Sequence, residues 1–178
     1  MLRRPTRQLP KVGRKMDEAF SRDRLQPFLL DRLTDDAPEN SRESRDQRAG
    51  TLRQLRRSVL RDLEWLLNTP CHFDAEELKD FPLVAQSVVN YGIPNLSGQT
   101  VSGMPPERVE KMLINAIHRF EPRVIRHSLS IGNLAGAGKP NTLDFEIKGE
   151  IWAVPLPDVL FVRTEVDLES GHCSLRDK

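Results

Sequence analysis

Two long segments of the chain carry apolar residues at helical spacing. The first runs from Thr51 to Pro70, and its stripe consists of Leu52, Leu55, Val59, Leu63 and Leu66. The second ends at Phe120, and its stripe consists of Val109, Met112, Leu113, Ala116, Ile117 and Phe120. A shorter apolar segment lies between Asp80, its expected N-cap, and Gly92, its expected C′ residue. The pattern therefore predicts about three helices.

After Pro122 the period of the apolar residues changes from a helical one to two. Strands are predicted near residues 124–132, 142–152 and 159–168, because apolar and polar side chains alternate there. The inward-facing positions are Ile125, Leu129, Ile131, Leu143, Phe145, Ile147, Leu160, Val162, Val166 and Leu168. Three consecutive amphipathic strands indicate an antiparallel sheet with one solvated face, covered on the other by the helices. The predicted class is α+β, in a single domain.

The ends of the chain differ from this central domain. Residues 1–19 have no apolar period and are expected to form a disordered basic arm. Residues 20–50 are expected to hold a short amphipathic helix, tethered to the domain by a polar linker. We expect the domain itself to span residues 51–171, with residues 172–178 as a tail.

Composition and charge narrow the range of partners. The net charge of +1 argues against nucleic acid as the main partner. No apolar run approaches the roughly 20 residues needed to span a bilayer, and the basic start has no apolar segment behind it, so neither membrane insertion nor a secretory signal is expected. We therefore expect a cytoplasmic protein in which Cys71 and Cys173 remain thiols.

Motifs that could hold a cofactor or a metal are weak. The loop "GNLAGAGKPNT" lacks the first glycine and the final Ser or Thr of a phosphate-binding loop, and it joins two predicted strands. The pairs Cys71-His72 and His172-Cys173 do not have the spacing of structural zinc sites. No nucleophile constellation is present either. We expect no cofactor, no metal and no catalytic residue.

The joint between the last predicted helix and the first strand is Glu121-Pro122-Arg123. Pro122 ends the helix because it lacks an amide hydrogen and crowds the preceding turn. Glu121 meets the negative end of the helix dipole, which is unfavourable unless a cation lies nearby. Arg123 could supply that cation within the chain, or both charges could face a partner. We favour the second alternative and predict Glu121, Pro122 and Arg123 as a partner-binding site.

Five segments together resemble a known family: "LLDRLTDD", "SVLRDLEWLLNT", "SVVNYGIPNLSG", "FEPRV" and "FVRTEVDLESG". They are similar to the TssE family of type VI secretion baseplate subunits, which belongs to a wider family of tailed-phage baseplate wedge proteins, sometimes labelled lysozyme-like. The resemblance runs from about residue 20 to residue 171.

This resemblance implies a structural role. The Glu-Pro-Arg signature, here Glu121, Pro122 and Arg123, would bind the core bundle formed by TssF and TssG. TssK would belong to the same wedge, at the cytoplasmic side of the inner membrane. Strand exchange with the sheath subunits TssB and TssC would start the contractile sheath. An open sheet edge is the kind of surface that accepts such a strand.

The older label suggests an alternative, a muramidase with Glu121 as its general acid. Glycoside hydrolysis normally needs a second carboxylate about 5–9.5 Å away. The available Asp144, Glu146 and Asp167 alternate with apolar residues, which indicates a solvated sheet face. We therefore expect a structural subunit and not an enzyme.

Overall fold

A computed structural model describes residues 29–34, 39, 52–74, 76–134, 141–153 and 156–177. The predicted basic arm of residues 1–19, most of the tethered segment and the loop of residues 135–140 lie outside the described residues.

The described residues form four α-helices, two short 3₁₀ helices and four strands. The α-helices are α1 (Leu29–Leu33), α2 (Leu52–Asn68), α3 (Pro82–Ala85) and α4 (Pro106–Phe120), and the 3₁₀ helices span Val88–Asn90 and Arg126–Ser128. Among these residues, no helix has both the length and the apolar character that crossing a bilayer requires.

The strands form one antiparallel sheet. They are β1 (Ser130–Asn133), β2 (Thr142–Ile151), β3 (Asp158–Asp167) and β4 (Cys173–Asp177), and their spatial order is the same as their order along the chain. The long strands β2 and β3 pair over their whole length, with Ile147 opposite Val162. The short strands β1 and β4 are therefore the two edges of the sheet.

The core lies between one face of this sheet and the two long helices. Alternate residues of β2 and β3 are buried, and Phe145, Ile147 and Val162 are fully enclosed. Helix α2 packs against β4 and α4, and α4 packs against β1. The predicted α+β class is confirmed, and the domain has four strands where three were expected.

The additional strand is β4, which replaces the predicted tail. Gly171 adopts φ +77° in the turn after β3, and the chain then returns antiparallel to β3 from Cys173 onward. Cys173 is fully buried on the inner face of the sheet. The domain thus extends past residue 171, because this short strand pairs with the edge of β3 that β2 leaves open.

Two further boundaries and the burial of one residue differ from prediction. Most of the strand predicted at 124–132 is a single β-bridge at Val124 followed by the 3₁₀ helix, and only its end joins β1. The segment before Gly92 forms the short helix α3 and a 3₁₀ helix in place of one longer helix. The N-cap residue of α3 is Phe81 and not the expected Asp80, and the side chain of Phe81 makes no capping hydrogen bond. Leu52, the first residue of the predicted apolar stripe, is 44% exposed.

Gly92 has the conformation predicted for it, with φ +118°. A Cβ atom there would lie 2.2 Å from the carbonyl oxygen of Thr69. That carbonyl accepts a hydrogen bond from the N–H of Ile93 at 2.9 Å, and the N–H of Cys71 donates to Ile93 O at 2.8 Å. Glycine is therefore required where this segment crosses the end of α2.

Candidate functional site

The Glu121-Pro122-Arg123 joint directs the chain from α4 into the edge of the sheet. The N–H of Glu121 still donates to Ile117 O at 2.9 Å, as in a helix, and Glu121 itself has left helical geometry at φ −119° and ψ 79°. Beyond Pro122, the N–H of Trp152 donates to Arg123 O at 2.8 Å. The joint is therefore fixed at its helix end by the last turn and at its strand end by the end of β2.

The side chains of Glu121 and Arg123 form a two-point ion pair with each other. Arg123 Nε lies 2.5 Å from Glu121 Oε1, and Arg123 Nη2 contacts Glu121 Oε2. Only 4% of the Glu121 side chain and 11% of the Arg123 side chain are exposed. A parallel pair of N–H···O bonds is the strongest arrangement available to a guanidinium and a carboxylate.

A second acid completes the arrangement from the neighbouring helix. Asp62, on α2, accepts a hydrogen bond from Arg123 Nη2 at 2.6 Å. Ser58, one turn earlier on the same face of α2, lies 3.5 Å from Arg123 Nη1. Arg123 thus ties the joint to α2, and the ion pair holds the two long helices in a fixed relationship.

The balance of burial and charge is visible in the pKa of Arg123. Burial by itself lowers the pKa of this guanidinium, because removing a cation from water favours the neutral form. The hydrogen bonds and negative charges of Glu121 and Asp62 outweigh burial and raise the pKa above its ordinary value. Arg123 therefore remains a cation inside the domain.

These positions correct the predicted orientation of the two charges. We expected Glu121 and Arg123 to face outward, and both side chains instead point into the domain, toward each other and toward Asp62. No signal at the joint itself showed this, because Asp62 lies 61 residues earlier in the chain. Pro122 is the exposed member of the triplet. Whether a partner engages the triplet is untested by these contacts and stays a prediction.

The network continues from Asp62 toward the tethered helix. Arg61 Nε lies 3.0 Å from Asp62 Oδ1, and Arg61 Nη1 lies 2.7 Å from Asp31 Oδ1 on α1. The guanidinium carbon of Arg61 also stands 5.2 Å from the centre of the Trp65 ring. The described part of the tethered helix therefore docks on α2 through its polar face, while its leucines are not buried.

The acids proposed for the muramidase alternative do not meet Glu121. Both Glu121 oxygens are occupied by Arg123, and neither faces an open groove. Asp144, Glu146 and Asp167 lie on the opposite, outward face of the sheet, where Glu146 pairs with Lys148 at 2.5 Å.

The cysteine and histidine pairs are also separated by the fold. Cys71 lies in the loop after α2 and donates to Phe73 O at 3.3 Å, whereas Cys173 lies inside the sheet. Within the ranges that the structure describes, no three His, Cys, Asp or Glu side chains are placed to share a metal ion.

Comparison with protein families matches residues 53–156 to the family of baseplate wedge protein gp25. The matched region begins in α2, contains the whole joint and ends in the turn before β3. Comparisons with curated proteins and with solved structures found no match. More than half of the chain matches the family, and the chain belongs to the baseplate wedge protein gp25 family.

Proposed function

We propose that this wedge-family protein is the TssE-type subunit of a type VI secretion baseplate. In this role it binds the core bundle of TssF and TssG, shares a wedge with TssK and starts the contractile sheath of TssB and TssC. The assembly lies in the cytoplasm, at the inner membrane. Two segments that resemble TssE, "LLDRLTDD" and "FVRTEVDLESG", lie outside the residues that match the wider family, and they favour the secretion system over a phage tail.

The observation that carries the sheath part of this proposal is the outer edge of β4. Asp167 N–H donates to His172 O at 2.9 Å, so the backbone groups of residues 172, 174 and 176 point toward β3. The groups of Leu175 point to the outside of the sheet, where the described chain places no further strand. An extended segment of a sheath subunit can add there by main-chain hydrogen bonds.

Helix α2 supports this edge at both ends of β4. Arg56 Nη2 pairs with Asp177 at 2.5 Å, and the side-chain amide of Asn68 bonds the backbone of Cys173. Leu60 lies one turn beyond Arg56 on the same side of α2, and both Leu60 and Leu175 are only partly buried. The middle of the edge therefore offers an apolar surface between two polar contacts.

The triplet takes a specific part in the proposed assembly. The internal ion pair of Glu121 and Arg123 sets the direction of the joint, and the exposed Pro122 and its surroundings meet the TssF–TssG bundle. This assigns partner binding to the outer surface of the joint and gives the two charges a positioning role. We propose no enzymatic activity, and purified protein incubated with murein should release no muropeptides.

The experiment is a stepwise assembly. The chain is mixed with a purified TssF–TssG complex, and recovery of a stable ternary complex is measured by size-exclusion chromatography. TssB and TssC are then added, and sheath polymers are counted by electron microscopy with and without the chain. Failure to enter the TssF–TssG complex would refute the wedge assignment. Entry without any effect on sheath growth would refute the initiating role alone.

A further inference from the structure

Four large apolar side chains are exposed near the end of β2, the start of β3 and the start of α2. They are Leu52 at 44%, Trp152 at 63%, Leu156 at 75% and Val159 at 65% of their full exposure. We call these four residues the hairpin patch. Single exposed apolar residues are ordinary on a protein surface, whereas a group of them beside unpaired charges is a candidate contact site.

The sheet register and the alternation of burial place Val159 and Trp152 on the same face of the sheet. Val159 lies opposite Glu150 on the outward face of the sheet. Trp152 lies two residues beyond Glu150 and therefore points to the same face, diagonally across from Val159. Such diagonal neighbours lie about 7–8 Å apart, within reach of a tryptophan ring. Leu156 lies two residues before β3.

The first two turns of α2 lie close to the start of β3. Arg56 Nη1 donates to Val159 O at 2.5 Å and to Asp158 at 3.3 Å. Leu52 lies one turn before Arg56 on the same side of the helix. The start of α2 therefore lies beside the first residues of β3, at the border of the outward face, and Leu52 is an exposed apolar residue on that border.

The border formed by α2 is basic. Arg53 and Arg57 are exposed, and no described acid pairs with either of them, whereas Arg56 is bound to Asp158 and Asp177. The first turn of α2 contains no acidic residue. Cations at a helix N-terminus oppose the helix dipole and reduce helix stability. Arg53, in the first turn, is thus in an unfavourable position that no acid among the described residues offsets.

We propose that the hairpin patch binds an amphipathic helix of another baseplate subunit, one whose apolar stripe is flanked by carboxylates. The apolar stripe covers Trp152, Leu156 and Val159, and the carboxylates pair with Arg53 and Arg57. The patch continues the outer surface of the joint, because Trp152 N–H is bonded to Arg123 O. This inference rests on the proposed baseplate function and locates its partner contact on residues to which no role has yet been assigned.

The apolar contribution is tested in the full chain with TssF–TssG as the probe. The double variant Trp152→Ser with Val159→Thr should raise the Kd for TssF–TssG at least tenfold. The matched control is Leu83→Ser with Val88→Thr, which removes two exposed apolar residues from the α3 segment. The control should bind as the native chain does. Circular dichroism melting should show both variants folded, since none of the four side chains is buried.

The charge contribution is tested by reversal. Arg53→Glu with Arg57→Glu should weaken binding at least tenfold, and the loss should shrink as salt is added. Of the two changes, Arg53→Glu places an acid in the first turn of α2, where the helix dipole favours it, so the melting temperature should not fall while binding does. The control is Arg108→Glu with Lys111→Glu, which reverses two exposed cations near the start of α4.

The outcomes separate this inference from the function on which it rests. Native binding by both test variants would overturn the hairpin patch and leave the baseplate assignment standing. Equal losses in the test and control variants would also overturn it, because they would reflect a general effect of surface change. Absence of binding by the native chain would overturn the baseplate assignment and the patch together.

Discussion

The side-chain amide of Asn68 pairs with the backbone of Cys173 as a neighbouring strand would. Asn68 Nδ2 donates to Cys173 O at 2.8 Å, and Cys173 N–H donates to Asn68 Oδ1 at 2.9 Å. The last residue of α2 thereby satisfies both polar groups at the start of β4. This side chain anchors an edge strand that has only five residues.

Replacing Asn68 by Ala should therefore destabilise the domain. The buried peptide groups of Cys173 would lose their partners, at a cost of about 1–3 kcal/mol in the free energy of unfolding. Urea denaturation measures this cost. Asn115→Ala, on the exposed face of α4, is the matched control and should be neutral or slightly stabilising, since Ala favours the helix. Equal stability of the two variants would show that the Asn68 bonds contribute nothing.

The ion pair of the joint makes a second prediction. Arg123→Ala would leave the Glu121 carboxylate buried without its cation, and breaking such a pair costs about 3–5 kcal/mol. The melting temperature should fall sharply before any partner is added. Glu121→Gln should be milder, because Arg123 would retain Asp62. If Arg123→Ala melted like the native chain, the pair would not stabilise the fold and an outward, partner-facing role would regain support.

The main elements could be predicted because their patterns are long. Helices α2 and α4 and strands β2 and β3 each carry ten or more residues of one period, and they lie within a residue or two of the predicted positions. Strand β4 was missed because five residues that begin just after Gly171 give too short an alternation. Besides its pairing with β3, it is held by Asn68 and Arg56, which are distant in sequence.

The site was predicted in its location and not in its orientation. The proline and the change of period identified the joint, since both are local signals. The direction of the Glu121 and Arg123 side chains depends on the residues that they face on α2. Asp62 and Ser58 provide polar partners there, and the apolar stripe of α2 does not reveal them. Their spacing of four residues on one helix face was the available signal.

The buried thiol gives a prediction about reactivity and pH. Burial raises the pKa of Cys173 from 9.0 to about 12. In the folded domain a thiol reagent at pH 8 should modify Cys71, which is partly exposed, much faster than Cys173. Equal reaction rates for the two thiols would contradict the buried position of β4.

The sign of the accompanying pH effect follows from linkage. Between pH 9 and 12 the unfolded chain has lost the Cys173 proton and the folded chain still holds it, so stability falls as pH rises. The slope from this one group is at most about 1.4 kcal/mol per pH unit. Cys173→Ala should remove that part of the slope in chemical denaturation measured from pH 8 to pH 11. An unchanged slope would mean that the thiol does not contribute.

Thr164 offers a stabilising substitution. Its hydroxyl is fully buried between Phe145 and Leu175 in the sheet register, and no described residue gives it a hydrogen bond. Thr164→Val keeps the shape and removes the unpaired oxygen, so the free energy of unfolding should rise by about 1–2 kcal/mol. Thr164→Ser is the control, which keeps the hydroxyl and loses the methyl group, and it should be less stable than the native chain.

The outer edge of β4 permits a test that separates folding from strand addition. The N–H of Leu175 points away from β3, and proline is tolerated at an edge position of that kind. Leu175→Pro should therefore fold, with a loss of stability close to that of Leu175→Ala, which removes the same side-chain contacts and keeps the N–H. Ser174→Pro removes an N–H directed at β3 and should disrupt the strand.

Sheath growth then separates the first two variants. If a sheath strand pairs with β4, Leu175→Pro should enter the TssF–TssG complex and fail to start polymerisation of TssB and TssC. The reason is that β4 would no longer offer the N–H of residue 175 to the incoming strand. Leu175→Ala should start it at a rate near that of the native chain. Equal sheath growth with Leu175→Pro and Leu175→Ala would place strand addition elsewhere, and β1, the other edge of the sheet, would be the next strand to test.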